Sequence, residues 1–179
     1  MYYFQLFREC LPSLLSGLQV TVIMAVASIF FAFLLGVVLG LFSISNIRVL
    51  RSFSTVYIYA VRGVPLMILA LFLYFGVGAV IGIRFNPLVA AIIALTINAS
   101  AYMAEIFRGG IQAIDIGQTE AARSLGLGYL TTMRKVILPQ AIKIMIPAFL
   151  NQFITTLKDT SILSVISVRE LTLNGPNRR

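Results

Sequence analysis

No charged residue occurs between Glu9 and Arg48. Within that window Leu14 to Phe42 is long enough for a tilted crossing of a bilayer, whose hydrocarbon core of about 30 Å needs about 20 apolar helical residues. On the insertion scale each Leu, Ile, Val or Phe at a helix centre contributes about −0.3 to −0.6 kcal/mol, and one Arg costs about 2.5 to 3.5 kcal/mol. With no charge to offset, the segment inserts. The whole chain agrees: 59% of its residues are hydrophobic and 11% charged, against about 25% charged in a soluble domain. The expected fold class is an all-α integral membrane protein, one transmembrane domain over residues 1–179.

Further windows follow. Gly63 to Ile83 is uncharged and suffices for a second span, which places Arg62 at its boundary, where a long side chain snorkels to water. Ser45 to Val61 then holds a loop with Arg48 and Arg51 and a helical lead-in. Pro65 falls in the first turn of the span, where a missing N–H costs little. Phe85 to Ala104 carries Thr96, Asn98, Ser100 and Tyr102 and ends at Glu105. Such groups are costly in lipid unless they face the bundle or a wet cavity. Gly109-Gly110 is expected to loosen this helix. The fourth apolar stretch, Ile144 to Leu157, contains Pro147, meets Lys158-Asp159 and continues as Ser161 to Val168. It reads as a span broken near its outer end, and broken helices at membrane depth line cavities. The spans are thus placed at about 14–42, 63–83, 86–107 and 141–168, with a cytoplasmic segment at about 108–140. Gly36 and Gly40 allow close helix approach, read as ordinary packing rather than a dimer face.

Orientation follows from counting basic residues. Arg48, Arg51, Arg62, Arg108, Arg123, Arg134, Lys135 and Lys143 fall on one side, Arg8 and Arg84 on the other. The positive-inside rule makes the first side cytoplasmic and the N-terminus external. The start MYYFQLFRECLP lacks the features of a cleaved signal peptide. The net charge of +8 has this same origin; it is not clustered with stacking aromatics, so nucleic acid is not an expected partner.

Catalysis of its own is not expected. The chain has no histidine, one cysteine (Cys10) and six scattered acidic residues. It has no phosphate loop of the G-x-x-x-x-G-K-[ST] kind. Neither metal nor cofactor is called for. Asn98, Ser100, Glu105 and Asp159 are candidates for a substrate pathway, because polar side chains at mid-depth can hold the charged groups of a substrate. The competing reading is hydrogen bonding between helices or, for Lys158-Asp159, a local ion pair.

Thr119 to Pro139, TEAARSLGLGYLTTMRKVILP, interrupts the apolar pattern. Thr119 is expected to cap a helix, with Glu120 in its first turn complementing the dipole. Ala121 and Ala122 favour helix with little bulk. Gly126 and Gly128 permit a change of direction, and a second helix from Leu130 to Ile137 stops at Pro139. By its physics the segment is either a docking element for a partner or an amphipathic linker without one.

Glu120-Ala121-Ala122, Gly126, Val136 and Leu138-Pro139 resemble, at the right spacing, the EAA loop of ATP-binding-cassette importer permeases, in which isoleucine usually stands where this chain has Val136. Arg62-Gly63-Val64-Pro65, Ala104 to Ile111 and Leu157 to Ser161 are similar to the polar amino acid uptake branch of that family. The resemblance runs from about Leu14 to Thr172. It implies a type I importer permease-like helix bundle in a bacterial cytoplasmic (inner) membrane, with about four spans of an expected five. It implies a cytoplasmic ABC ATPase dimer as partner, a second permease subunit in a homo- or heterodimer, and an extracytoplasmic amino-acid-binding protein. ATP hydrolysis belongs to the partner, and Glu120, Ala121, Ala122, Gly126, Leu138 and Pro139 become the ATPase-coupling residues. Family members continue with a further hydrophobic helix where this sequence reads ELTLNGPNRR. The alternative expectation is therefore a truncated, non-transporting membrane subunit or remnant.

Overall fold

The computed structural model describes residues 2–82, 86–166 and 168, with side chains in the first helix from Leu11 onward. Arg84 and the tail from Glu170 to Arg179 lie outside the described residues, as do the side chains of Arg8 and Glu9. Among the described residues every regular element is helical. Helix α1 covers Tyr2–Ser43 and α2 Arg48–Arg62. Helix α3 (Leu66–Leu71) passes through a π-helical turn, Phe72–Val77, into α4 (Gly78–Ile81). Helix α5 is Pro87–Gln112, α6 Ile116–Ser124 and α7 Tyr129–Thr132. A second π-helical turn, Met133–Ile137, leads into α8 (Leu138–Asp159), and a 3-10 helix, Thr160–Ile166, follows.

The tightest seam lies between α1 and α5. Along α1 a row of small buried residues recurs every three or four positions, Gly17, Thr21, Ala25, Ser28, Ala32, Gly36 and Gly40, beside the larger buried Met24 and Leu39. That spacing is one face of a helix. In lipid, association is driven by close packing rather than by the hydrophobic effect, so a groove of small residues is what brings two helices together. A Cβ on Gly36 would stand 2.6 Å from Met103 Cβ, and one on Gly40 2.8 Å from Phe107 Cβ. The glycine pair thus packs inside the molecule. Ser28 reaches the Ile92 carbonyl, so residues further along α1 meet residues further along α5, and the two helices run parallel.

Parallel neighbours require the chain to return between them. The return is made by α2 and the Leu66–Val80 run, which meet at a bend of about 100°. Gly63, Val64 and Pro65 form the corner, with Pro65 preceding α3 as its N-cap rather than sitting in its first turn. Side-chain hydroxyls tie α2 to the seam: Ser54 Oγ donates to the Leu39 carbonyl at 2.6 Å, and Tyr57 Oη lies 2.8 Å from Ser100 Oγ. Helix α8 runs antiparallel to α5. Met145 packs on Phe107 near the end of α5, whereas Phe153 packs on Ala99 nearer its middle. The 3-10 helix folds Leu163 and Ile166 against Leu66, Ala70, Ala90 and Ala94.

Two expectations about helix breaks are corrected. Helix α5 is not loosened at Gly109-Gly110 but continues to Gln112. Gly110 serves proximity instead: a Cβ there would fall 2.2 Å from Met145 Cγ. Nor does a helix stop at Pro139. The run from Tyr129 to Ile166 is continuous helix, and the π turn before Leu138 takes up the irregularity that a proline imposes on the hydrogen-bond ladder.

Candidate functional site

The bend between α2 and α3, the middle of α5 and the far half of α8 enclose a cavity of about 390 Å³. Asn98 and Tyr102 enter it from α5, one helical turn apart; Gln152, Thr155 and Asp159 enter from α8; Arg62 to Leu66 close the third side. Asn98 is 7% exposed and makes no hydrogen bond among the described residues. Gln152 Nε2 reaches Thr156 Oγ1 at 3.4 Å, and Thr155 donates to the Asn151 carbonyl at 3.0 Å. The wall facing these polar groups combines Arg62 with the apolar Val64, Pro65 and Leu66. Its size falls in the range of about 300 to 1,000 Å³ typical of small-molecule sites, and so does the mixture of a few convergent polar groups with apolar lining.

Of the four pathway candidates, the structure brings Asn98 and Asp159 together on this cavity. Ser100 is fully buried, donates to the Ile97 carbonyl at 2.8 Å and holds Tyr57. Its hydroxyl serves the α2–α5 contact. Glu105 faces a second cavity of about 190 Å³ with Ser43, Arg51, Tyr59, Arg108 and Gln112. Arg108 binds both its carboxylate oxygens, Nε to Oε2 at 2.9 Å and Nη2 to Oε1, and Arg108 Nη1 donates to Gln112 at 2.7 Å.

Sequence reasoning missed Arg62, Tyr102, Gln152 and Thr155. For three of them a signal existed. Tyr102 follows Asn98 at i+4, and Gln152, Thr155 and Asp159 recur at i, i+3 and i+7 along α8. Each set marks a polar stripe. Arg62 was placed at a boundary, snorkelling. In the structure it lines the cavity, above the Tyr102 ring at 5.1 Å and 3.9 Å from Glu105.

The polar segment after α5 forms two helices joined by a tight corner. Asp115, not Thr119, is the N-cap of α6: its Oδ1 accepts from the Gly117 N–H at 2.7 Å. The helix therefore starts earlier than expected, Thr119 lies inside it, and Glu120 is beyond its first turn. Glu120 and Ala121 are exposed, whereas Ala122 is 4% exposed and anchors the helix. The helix ends at Gly126, whose φ of 76° is left-handed. The Gly126 N–H bonds to the Arg123 carbonyl, and the Leu127 N–H to the Ala122 carbonyl. This is a Schellman closure, which glycine permits without a Cβ penalty. Gly128 has ordinary extended geometry and caps α7, so one glycine rather than two makes the turn. Leu138 is half-buried and Pro139 exposed at the start of α8. Gln140 joins the elements, donating to the Val136 carbonyl at 2.8 Å and to Gln118 Oε1 at 3.3 Å. Around the corner large apolar side chains are uncovered: Ile116 is 74% exposed, Leu125 80% and Leu130 80%.

A polytopic helical bundle with a polar cavity among its spans, and a polar helix pair hung between two of them, is the anatomy of a membrane transport subunit. Residues 32–175 match the family described as binding-protein-dependent transport system inner membrane component, and the chain belongs to that family of ABC importer permeases. It is similar to the arginine transport system permease protein ArtQ of Bacillus subtilis (strain 168), 38% identical over 161 residues, covering 90% of this chain and 74% of ArtQ. It is similar to the probable glutamine ABC transporter permease protein GlnP of the same organism, 40% identical over 168 residues, covering 94% and 77%. Among solved structures, an amino acid ABC transporter crystallised with histidines superposes with a TM-score of 0.89 at 41% identity, covering 94% of this chain and 78% of that one. The MetNI methionine ABC transporter in an inward-facing conformation superposes with a TM-score of 0.67 at 26% identity, covering 82% and 70%.

Proposed function

We propose that the chain forms part of the pore of an importer for an amino acid, driven by nucleotide hydrolysis in a separate cytoplasmic ATPase dimer. A second permease subunit completes the pore, and an extracytoplasmic binding protein delivers the substrate. The N-terminus is external, so that the corner at Gly126 faces the cytoplasm. The carrying observation is the cavity at the α2–α3 bend. It sits among three helices of a chain whose relatives are named as amino-acid permeases. In this reading Asp159 accepts the substrate's ammonium group, and Asn98 offers an amide that both donates and accepts.

Coupling runs through α6 and the Schellman corner. Glu120, Ala121 and Gly126 present a low-relief surface, Ala122 pins it to the bundle, and Leu138-Pro139 starts the helix that carries any displacement toward Gln152 and Asp159. A π turn at the base of that helix lets it rotate or slide without breaking its whole ladder of hydrogen bonds.

The test is reconstitution of the chain with its ATPase and binding protein in liposomes, followed by ATP-dependent accumulation of labelled amino acid. Accumulation that requires both partners supports the reading. ATP hydrolysis stimulated by the binding protein with no accumulation of any of the common amino acids overturns it.

A further inference from the structure

Arg62 brings to the cavity a charge that the fold engages only loosely. Its guanidinium carries five N–H donors, yet it makes no hydrogen bond among the described residues. Its nearest carboxylate, Glu105, is 3.9 Å away, beyond hydrogen-bonding distance. Glu105 is held more closely by Arg108, which bonds to both of its carboxylate oxygens. The other contact of Arg62 is with the Tyr102 ring at 5.1 Å. That cation–π contact holds the head in place and leaves its N–H edges open.

The depth is the second observation. Tyr102 lies about 15 Å along the axis from the end of α5 at Gln112. A cation among spans at that depth is expensive and persists where it serves a wet cavity or a ligand. Among the described lining residues Arg62 is the single cation and Asp159 the single anion, and they stand on different helices of one cavity. A doubly charged anion would meet repulsion from Asp159. A zwitterion would satisfy both ends.

We infer that Arg62 anchors the α-carboxylate of the substrate, as the planar fork of a guanidinium pairs with the two oxygens of a carboxylate. Tyr102, whose ring lies 5.1 Å from the guanidinium, is a positioning residue that holds the head at the cavity wall. The assignment rests on the amino-acid reading above and goes beyond it by fixing which end of the substrate this wall recognises.

The test uses the full-length chain with its partner ATPase in nanodiscs. The probes are the twenty common L-amino acids, then the α-carboxamide of the one bound most tightly. Wild type is expected to bind the free carboxylate about ten- to one-hundredfold more tightly than the amide, the range of one charge-assisted hydrogen-bonding pair. Arg62→Gln abolishes that preference while binding the amide within about twofold of wild type. Arg62→Lys, which keeps the charge and loses the fork, restores part of it. A merely structural Arg62 would weaken carboxylate and amide equally, and Glu105→Gln would copy the effect; that result overturns the assignment. So does a preference that survives Arg62→Gln, which leaves the amino-acid reading standing. Wild type that binds none of the twenty overturns both.

Discussion

The α1–α5 seam and the α6–α7 corner are built from the same vocabulary and do opposite things. Both combine glycine, alanine and large apolar side chains. In the seam, Gly36 and Gly40 are closed over by Met103 and Phe107, and a Cβ has no room. At the corner, nothing lies within 4 Å of a Cβ on Gly126, and Leu125 and Leu130 are each 80% exposed. Glycine in the seam is there for distance; glycine at the corner is there for a left-handed φ. The first is a finished internal contact. The second leaves its large apolar side chains uncovered by the rest of the chain.

Substitutions probe that contrast. The largest effect is expected from Gly36→Leu. Its side chain meets Met103 Cβ and the Ser100 carbonyl at once, and overpacking of this kind costs about 3 kcal/mol. Unfolding in mixed micelles should show it, and a variant as stable as wild type would mean that the seam opens freely. Gly126→Val is expected to cost about 1 to 2 kcal/mol of backbone strain, so it inserts and folds. It should lower ATP-driven uptake about tenfold with ATP hydrolysis retained, while Gly126→Asn, better tolerated in the left-handed region, behaves closer to wild type. Equal uptake by both variants would remove the corner from coupling.

Ser100→Ala removes the hydroxyl between Tyr57 and α5 and is expected to cost about 1 kcal/mol. Uptake kinetics should stay unchanged, because Ser100 does not line the large cavity. An altered KM would return this residue to the substrate pathway. The smallest effect on stability, within about 0.5 kcal/mol, is expected from Leu125→Asp with Leu130→Asp, both exposed. The same pair should greatly reduce co-purification of the ATPase. Undiminished association would dissolve the comparison, since the corner would then be as self-sufficient as the seam.

Much of this molecule was readable in one dimension. The uncharged windows fall on α1, on α3 with α4, and on α5, because insertion is close to a sum over a window. The spacing from Glu120 to Pro139 marked the polar helix pair before any coordinates. Local details were less legible. Asp115 took the cap from Thr119, since any Asp, Ser, Thr or Asn near a helix start is a plausible cap and only the backbone geometry chooses among them. Pro139 was read as a stop because proline normally ends a helix, and the π turn that absorbs it has no sequence signature.

Composition and spacing by themselves determined the solvent, the helical class, the number of long apolar stretches and the place of the polar segment between two of them. All of these depend on residue type and separation along the chain. Only the tertiary structure decided which polar groups share a cavity. Asn98 and Asp159 meet there, Ser100 and Glu105 turn elsewhere, and Arg62 joins the cavity wall beside the 100° bend at Gly63 to Pro65. Helix rotation and that bend set which side chains face one another, and the small residues Gly36, Gly40 and Gly110 set how closely the helices approach. No sum along the chain contains that information.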